Sequence, residues 1–275
     1  MEIDNKIHKQ LDSNGIIILK NAITHDELNK LCTKYESGWK EIINKWNTLQ
    51  WMKIKFNNSC QNNTGFIGKD LYDGKTFAKW QNTDEIILNM GNGRYDFTNG
   101  LENIKIESKI VNDIMKQMLE FEYDYYLGGL PIVNENNDSN DSNNSNDSNG
   151  RWHRDAYSLF DNEEIDMKLK PFYYTILIPL DNIDVESGRT TEFITQSHKL
   201  NLEELGINNI ETLNSWCEKQ NDSKIKLVCK AGDVCIFHGY TIHRGLGTNT
   251  TNNPRIIYAV YKKNWYNDEP KNNYL

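Results

Sequence analysis

The apolar positions of this chain change period along its length. Over 25–50 they fall at Leu28, Leu31, Tyr35, Trp39, Ile42, Ile43 and Trp46, a helix-like spacing that predicts one long amphipathic helix. Thr24-His25-Asp26-Glu27 supplies its start, because the Thr24 hydroxyl and the Glu27 carboxylate can form a capping box for first-turn amides. Just before it, Gly15 leads a short apolar run that reads as a strand. Segments 84–89 and 107–122 also read as helices, the second with Ile110, Ile114 and Leu119 among its apolar positions. From residue 123 the runs shorten and fill with β-branched and aromatic residues. Strands are predicted over 123–127, 152–157, 172–180, 191–194, 224–229, 233–237 and 255–262, with a helical excursion over 202–219. Short strands at this spacing favour a mainly β sandwich or jelly roll with flanking helices over a parallel α/β sheet.

Length and charge narrow the picture. A chain of 275 residues can bury about three quarters of its unfolded surface in one core. A single domain over 1–275 is therefore expected, with a helical part over about 1–122 and a β core over about 123–265. The net charge of −8, without basic clusters, argues against a nucleic-acid groove. Cys32, Cys60, Cys217, Cys229 and Cys235 form no CxxC pair and read as reduced thiols of a cytoplasmic protein. Neither a signal peptide nor an apolar run of membrane-spanning length is visible. The tract 134–149 (NENNDSNDSNNSNDSN) is too polar to offset the entropy of ordering and reads as a disordered insertion, either an expanded loop or a flap beside the segment that follows it.

That segment, 150–159 (GRWHRDAYSL), carries the first candidate chemistry. On a strand, positions i and i+2 share a face, so His153 and Asp155 can point at one ion. A second segment, 231–247 (AGDVCIFHGYTIHRGLG), opens with a Gly-Asp turn, runs on as an apolar strand and delivers two histidines, His238 and His243. One of them suffices. Two imidazoles and one carboxylate, with positions left open, make the facial triad that holds non-haem Fe(II). One loop later Arg255 opens a new strand, and its planar fork suits a carboxylate such as that of 2-oxoglutarate.

These motifs resemble the phytanoyl-CoA dioxygenase family of Fe(II)/2-oxoglutarate oxygenases. The likeness extends to 11–31 (LDSNGIIILKNAITHDELNKL), to 93–96 (GRYD) and to 188–199 (GRTTEFITQSHK), in the family's order. It implies a double-stranded β-helix, the jelly-roll core of cupin-like proteins. It also implies His153, Asp155 and His243 as metal ligands, with His238 supporting its strand, and Arg255 as the anchor of 2-oxoglutarate. The activity implied is hydroxylation by Fe(II), 2-oxoglutarate and O2, with decarboxylation of 2-oxoglutarate to succinate. The chain departs from the pattern at Arg189, where a proline is usual, at Gln196, where a glycine usually turns the chain, and at Gly245, where some relatives place a serine that helps hold 2-oxoglutarate. Another hydroxyl must then assist Arg255, and Thr175 is the candidate. Asp155 argues against a halogenating variant, which replaces that carboxylate with a small residue. Arg94, Trp152 and Tyr157 are candidates for the pocket wall, Arg94 either meeting an anionic substrate or pairing with Asp96. The substrate stays open among small metabolites, lipids, sugars and protein side chains. Two other classes compete: a cupin-like metal protein of non-oxidative chemistry, which gives Arg255 no task, and a non-catalytic ligand-binding relative.

Overall fold

The computed structural model describes residues 5–48, 66–68, 76–79, 86–89, 106–120, 123–129, 152–156, 171–184, 190–246 and 254–266. Its central strand, Tyr173–Pro179, is buried at every position, so both faces of its sheet are covered. Numbered in chain order, the sheet comprises β1 (Ile16–Leu19), β5 (Tyr123–Gly129), β6 (Tyr173–Pro179), β9 (Val234–His238) and β11 (Ile256–Lys263). They lie in the order β1-β9-β6-β11-β5 and every pairing is antiparallel. Alternate side chains then serve two different cores. One face sends Tyr174, Ile176, Ile178, Val234, Ile236, Ile257, Ala259 and Tyr261 against a helical layer. That layer is built from Leu11 of α1 (Asn5–Asn14), Leu31 and Tyr35 of α2 (His25–Thr48), and Val111, Ile114 and Met115 of α3 (Lys109–Met118). The other face sends Tyr173, Leu177, Cys235, Phe237, Ile256, Tyr258 and Val260 against Phe193 of β7 (Thr191–Ile194) and Leu227, which follows β8 (Lys224–Lys226). β7 is the middle of a second antiparallel sheet, β10-β7-β8, with β10 at His243–Gly245. A third sheet joins β2 (Phe66–Gly68), β3 (Thr76–Lys79) and β4 (Ile86–Asn89). The architecture is thus mainly antiparallel sheets with a few helices.

The helix expected over 84–89 is β4 instead. Its β-branched Ile86 and Ile87 pair with Lys79 and Ala78 of β3, a pairing that a six-residue window cannot reveal. The excursion over 202–219 is helical only as α4 (Ile210–Glu218), because Gly206 takes φ +69° ahead of it and Asn209 then caps the helix, accepting from the Thr212 N–H at 2.8 Å. Ile110 is exposed, and Val111 and Met115 take the buried positions beside Ile114. Half of the capping box of α2 forms: the Thr24 hydroxyl accepts the Glu27 N–H at 3.2 Å. The Glu27 carboxylate turns away and accepts the N–H groups of Glu107 and Ser108, which lead into α3, and so ties the two helices together. Cys32, Cys217, Cys229 and Cys235 are free thiols, and burial pushes Cys217 and Cys229 up to about 12. Among the described residues no helix is long and apolar enough to cross a membrane.

β1 is locked to β9 through Asp233, which is 1% exposed at the Gly-Asp turn. Its Oδ1 accepts the Asn21 N–H at 2.9 Å, and its Oδ2 accepts the Lys230 N–H and the Lys20 ammonium, each at 2.9 Å. Burial alone would push this carboxyl up, but the N–H groups of Lys230 and Asn21 and the Lys20 ammonium outweigh it and hold it below its ordinary value. A depressed carboxyl contributes stability above its unfolded pKa of about 3.9, and that contribution is lost as pH falls through the folded value. Asp233→Ala leaves two backbone donors without their acceptor and should cost about 2–3 kcal/mol. Denaturant unfolding at pH 7 measures this, and the gap to wild type should narrow as the pH is taken below about 4.

Candidate metal centre

Three side chains converge where the inner face of the large sheet meets β10. His153 and His243 form an antiparallel bridge, the N–H of each donating to the carbonyl of the other at 2.9 and 3.0 Å, and their rings lie 4.3 Å apart. Asp155 sits between them, its Oδ1 3.8 Å from His153 Nε2 and 3.7 Å from His243 Nε2. One ligand atom from each of the three lies within 4.8 Å of the other two. Adjacent donors on an ion bound at about 2.1 Å stand about 3 Å apart, so each imidazole–carboxylate separation has to close by under about 1 Å. The donor types, two imidazoles and one carboxylate on one side of an ion, suit Fe(II) with open positions.

The surroundings prepare each donor. His243 Nδ1 donates to the Thr241 carbonyl at 3.0 Å, which leaves Nε2 as a lone-pair donor aimed at Asp155. Its ring packs against Phe237 at 4.7 Å and Phe193 at 5.8 Å, apolar walls that keep water from that side. Thr241 is itself fixed, its hydroxyl donating to the Gly15 carbonyl at 2.8 Å. His243 and Asp155 are 8% and 13% exposed in their side chains while His153 is 46% exposed, so among the described residues His153 is the member of the three that meets solvent.

The strand expected over 152–157 is, among 152–156, a single bridge at His153, and the chain bends at Asp155 and Ala156 where it turns onto the Gly239 carbonyl. His153 and Asp155 face the centre, while Trp152 and Arg154 face away from it. Trp152 is 1% exposed in a separate core with Ile194, Leu202, Ile207, Leu213, Cys217 and Ile242. Its indole N–H donates to Glu218 at 3.1 Å and the Arg244 guanidinium covers its ring at 4.3 Å. It anchors the segment and does not wall the pocket as expected. Arg154 donates to the carbonyls of Ser197 and Leu200. The other two expected pocket residues, Arg94 and Tyr157, lie outside the described residues, as does 134–149.

Register separates the two histidines of the second segment. Cys235 and Phe237 face inward, so His238 faces the helical side, in register with Tyr174. Its Nδ1 accepts the Tyr240 N–H at 3.0 Å, and burial, with His198 and Arg154 nearby, lowers its pKa to about 3. Neutral and outside the triad, it supports the turn that delivers His243. The Gly239 carbonyl in that turn accepts the N–H groups of Asp155 and Ala156 at 2.9 and 3.0 Å.

The profile of phytanoyl-CoA dioxygenase (PhyH) matches residues 11–257. The chain belongs to the phytanoyl-CoA dioxygenase family. No curated protein matches it in sequence. Among solved structures, HygX from Streptomyces hygroscopicus, with nickel, 2-oxoglutarate and hygromycin B bound, is 11% identical at a TM-score of 0.54, covering 96% of this chain and 89% of that one. AviO1 from Streptomyces viridochromogenes Tue57 is 12% identical at a TM-score of 0.51, covering 95% and 96%. At such identities these likenesses concern the fold.

One family expectation meets a different arrangement. Arg255 pairs with Leu180 across the β11–β6 ladder, the Leu180 N–H donating to its carbonyl at 2.8 Å, and paired residues share a face. Leu180 belongs to the helical-side core, so Arg255 points outward. Its Nε and one terminal nitrogen donate to both oxygens of Asp181 at 2.9 and 2.8 Å, and the other donates to Glu36 of α2 at 2.7 Å. Burial would push the Asp181 carboxyl up, but hydrogen bonds from Arg255 outweigh it and hold Asp181 low. Thr175 does face inward, yet its hydroxyl donates to Asp155 Oδ2. The structure therefore brings His153, Asp155, His243 and Thr175 together and does not bring Arg255 to them. Gly239 carries its own signal in the sequence, since an isolated glycine in an apolar run marks close backbone approach.

Two substitutions probe this construction. A Cβ on Gly239 would stand 2.7 Å from both Ala156 Cβ and Tyr173 Cδ1, so Gly239→Ala should push the Asp155 segment aside. The expected result is at least about tenfold weaker metal binding in a Co(II) titration. Arg255→Ala removes a partly exposed clasp between β11 and α2, and should lower the melting temperature by about 2–4 °C with the Co(II) affinity unchanged.

Proposed function

We propose that this protein is an Fe(II)- and 2-oxoglutarate-dependent oxygenase, a hydroxylase of a small molecule or side chain, folded as one double-stranded β-helix domain with helices packed outside. The observation that carries the reading is the converged His153, Asp155 and His243 in a chain of the phytanoyl-CoA dioxygenase family. These residues would hold the metal on one side. When bound, iron and 2-oxoglutarate would supply oxidation of a substrate C–H bond by O2, with conversion of 2-oxoglutarate to succinate and CO2. The chain's own share is geometric. The Thr241 carbonyl selects the tautomer of His243, Phe193 and Phe237 exclude water from its flank, and the exposed edge of His153 faces the side from which a substrate arrives.

The 2-oxoglutarate anchor is a separate matter. Arg255 fits that task only if it exchanges Asp181 and Glu36 for the co-substrate. Its engagement favours one second reading, a metal protein of the same fold that does not take up 2-oxoglutarate.

Anaerobic Fe(II) binding followed by 2-oxoglutarate titration separates the two. A charge-transfer band in the visible region should develop with wild type and His238→Ala and be absent with His153→Ala, Asp155→Ala and His243→Ala. Fe(II) binding without the band would favour the second reading. The same titration on Arg255→Ala locates the anchor. A rise of roughly a hundredfold in the 2-oxoglutarate requirement, the loss of about 2.7 kcal/mol of a charge-assisted pair, would mean that Arg255 does leave Asp181, and an unchanged requirement would place the anchor elsewhere.

A further inference from the structure

Asp155 presents two chemically equal oxygens to the centre, and the structure makes them unequal. Oδ1 faces both Nε2 atoms, at 3.8 and 3.7 Å, while Oδ2 accepts the hydroxyl of Thr175. Thr175 is 4% exposed, on β6, in register with Val260 on one side and Phe237 on the other. Its position along the sheet is thus set by the core and not by the carboxylate. An ionised carboxylate only accepts, so the hydroxyl proton lies on the Thr175–Asp155 line and occupies one Oδ2 lone pair. The backbone of Asp155 is held independently, its N–H on the Gly239 carbonyl at 2.9 Å.

We infer that Thr175 is a positioning residue that makes Asp155 a one-oxygen ligand, reserving Oδ1 for the metal and keeping Oδ2 off it. This rests on the metal-binding reading above. The consequence is a count of coordination positions. Two imidazoles and a single carboxylate oxygen leave three positions of an octahedral ion, whereas a carboxylate that swings to bind through both oxygens leaves two. A chelating co-substrate needs two and O2 a third. A hydroxyl on Oδ2 also draws charge from the carboxylate and resists the rotation that would bring Oδ2 to the ion. On this reading Thr175 acts through Asp155, and touches neither metal nor substrate.

Co(II) serves as the probe, because its visible d–d bands report coordination number without turnover. The apo-protein is titrated with Co(II) in wild type, in Thr175→Val, which removes the hydroxyl and keeps the shape, and in Thr175→Ser, which keeps the hydroxyl. We expect Thr175→Val to bind Co(II) about 10–100-fold more weakly with a changed band pattern, and Thr175→Ser to keep the wild-type bands and an affinity within about threefold of wild type. If the valine variant does not fold, as judged by circular dichroism, Thr175→Ala carries the same expectation. A hydroxyl-free variant with wild-type bands and affinity overturns the inference while leaving the metal reading intact, as does a serine variant that behaves like the valine one. Failure of wild type to bind Co(II) overturns the metal reading and this inference with it.

Discussion

The register of β6 between β9 and β11 is the constraint on which the rest of the molecule depends. Thr175 stands opposite Phe237 on one side and Val260 on the other, and because side chains alternate, that single alignment assigns every residue of three strands to one of two cores. A slip by one residue would deliver Ile176 to Asp155 and turn Thr175 into the helical layer. Both cores resist it. The helical layer would have to take Tyr173, Thr175 and Leu177, and the inner core would have to take Tyr174, Ile176 and Ile178, so apolar packing on two faces fixes the placement of one hydroxyl.

The centre is assembled from segments far apart in the chain, and backbone hydrogen bonds hold them in place. The Asp155 segment hangs on the Gly239 carbonyl and on the bridge between His153 and His243. The turn that carries Gly239 and Thr241 is in turn fastened to the Gly15 carbonyl, which accepts from His238 N–H at 2.9 Å and from the Thr241 hydroxyl. Gly15 takes φ +77°, and a Cβ there would stand 2.4 Å from His198 Nδ1, so a glycine is required at that approach. The N-terminal strand therefore supports the ligand turn directly, and its function extends beyond covering the sheet.

Much of this was legible in the sequence, and the limits have physical causes. His153 and Asp155 could be placed on one face because period two is a local property. The same rule excludes Trp152 from that face, so its burial in a separate core was within reach of the sequence, and its proximity to the ligands misled. His238 and His243 could not be separated by pattern alone, since the turn at Gly239–Ile242 breaks the alternation between them. Only the register of β9 against β6 shows that His238 lies with Tyr174 on the helical side. The segment of β4 reads as a helix in the sequence because its partner β3 is what makes it a strand, and pairing is not written in either segment.

Arg255 shows where a family pattern and a register can part. Its distance from His243 in the chain suits a carboxylate clamp, but spacing along a chain specifies reach and says nothing of facing. Facing comes from the ladder, which pairs Arg255 with Leu180 and gives the inward positions of β11 to Ile256, Tyr258 and Val260. Once outward, a guanidinium at the start of β11 meets the nearest fork-shaped acceptor, and Asp181, the residue after Leu180, presents both oxygens. A charged pair formed this way is cheap to keep and not prohibitively costly to exchange, because both partners retain contact with water. The arginine's partner is thus decided by which carboxylate, the protein's own or a bound co-substrate's, completes its fork, whereas the convergence of His153, Asp155 and His243 is decided by the packing of two cores and leaves no such choice.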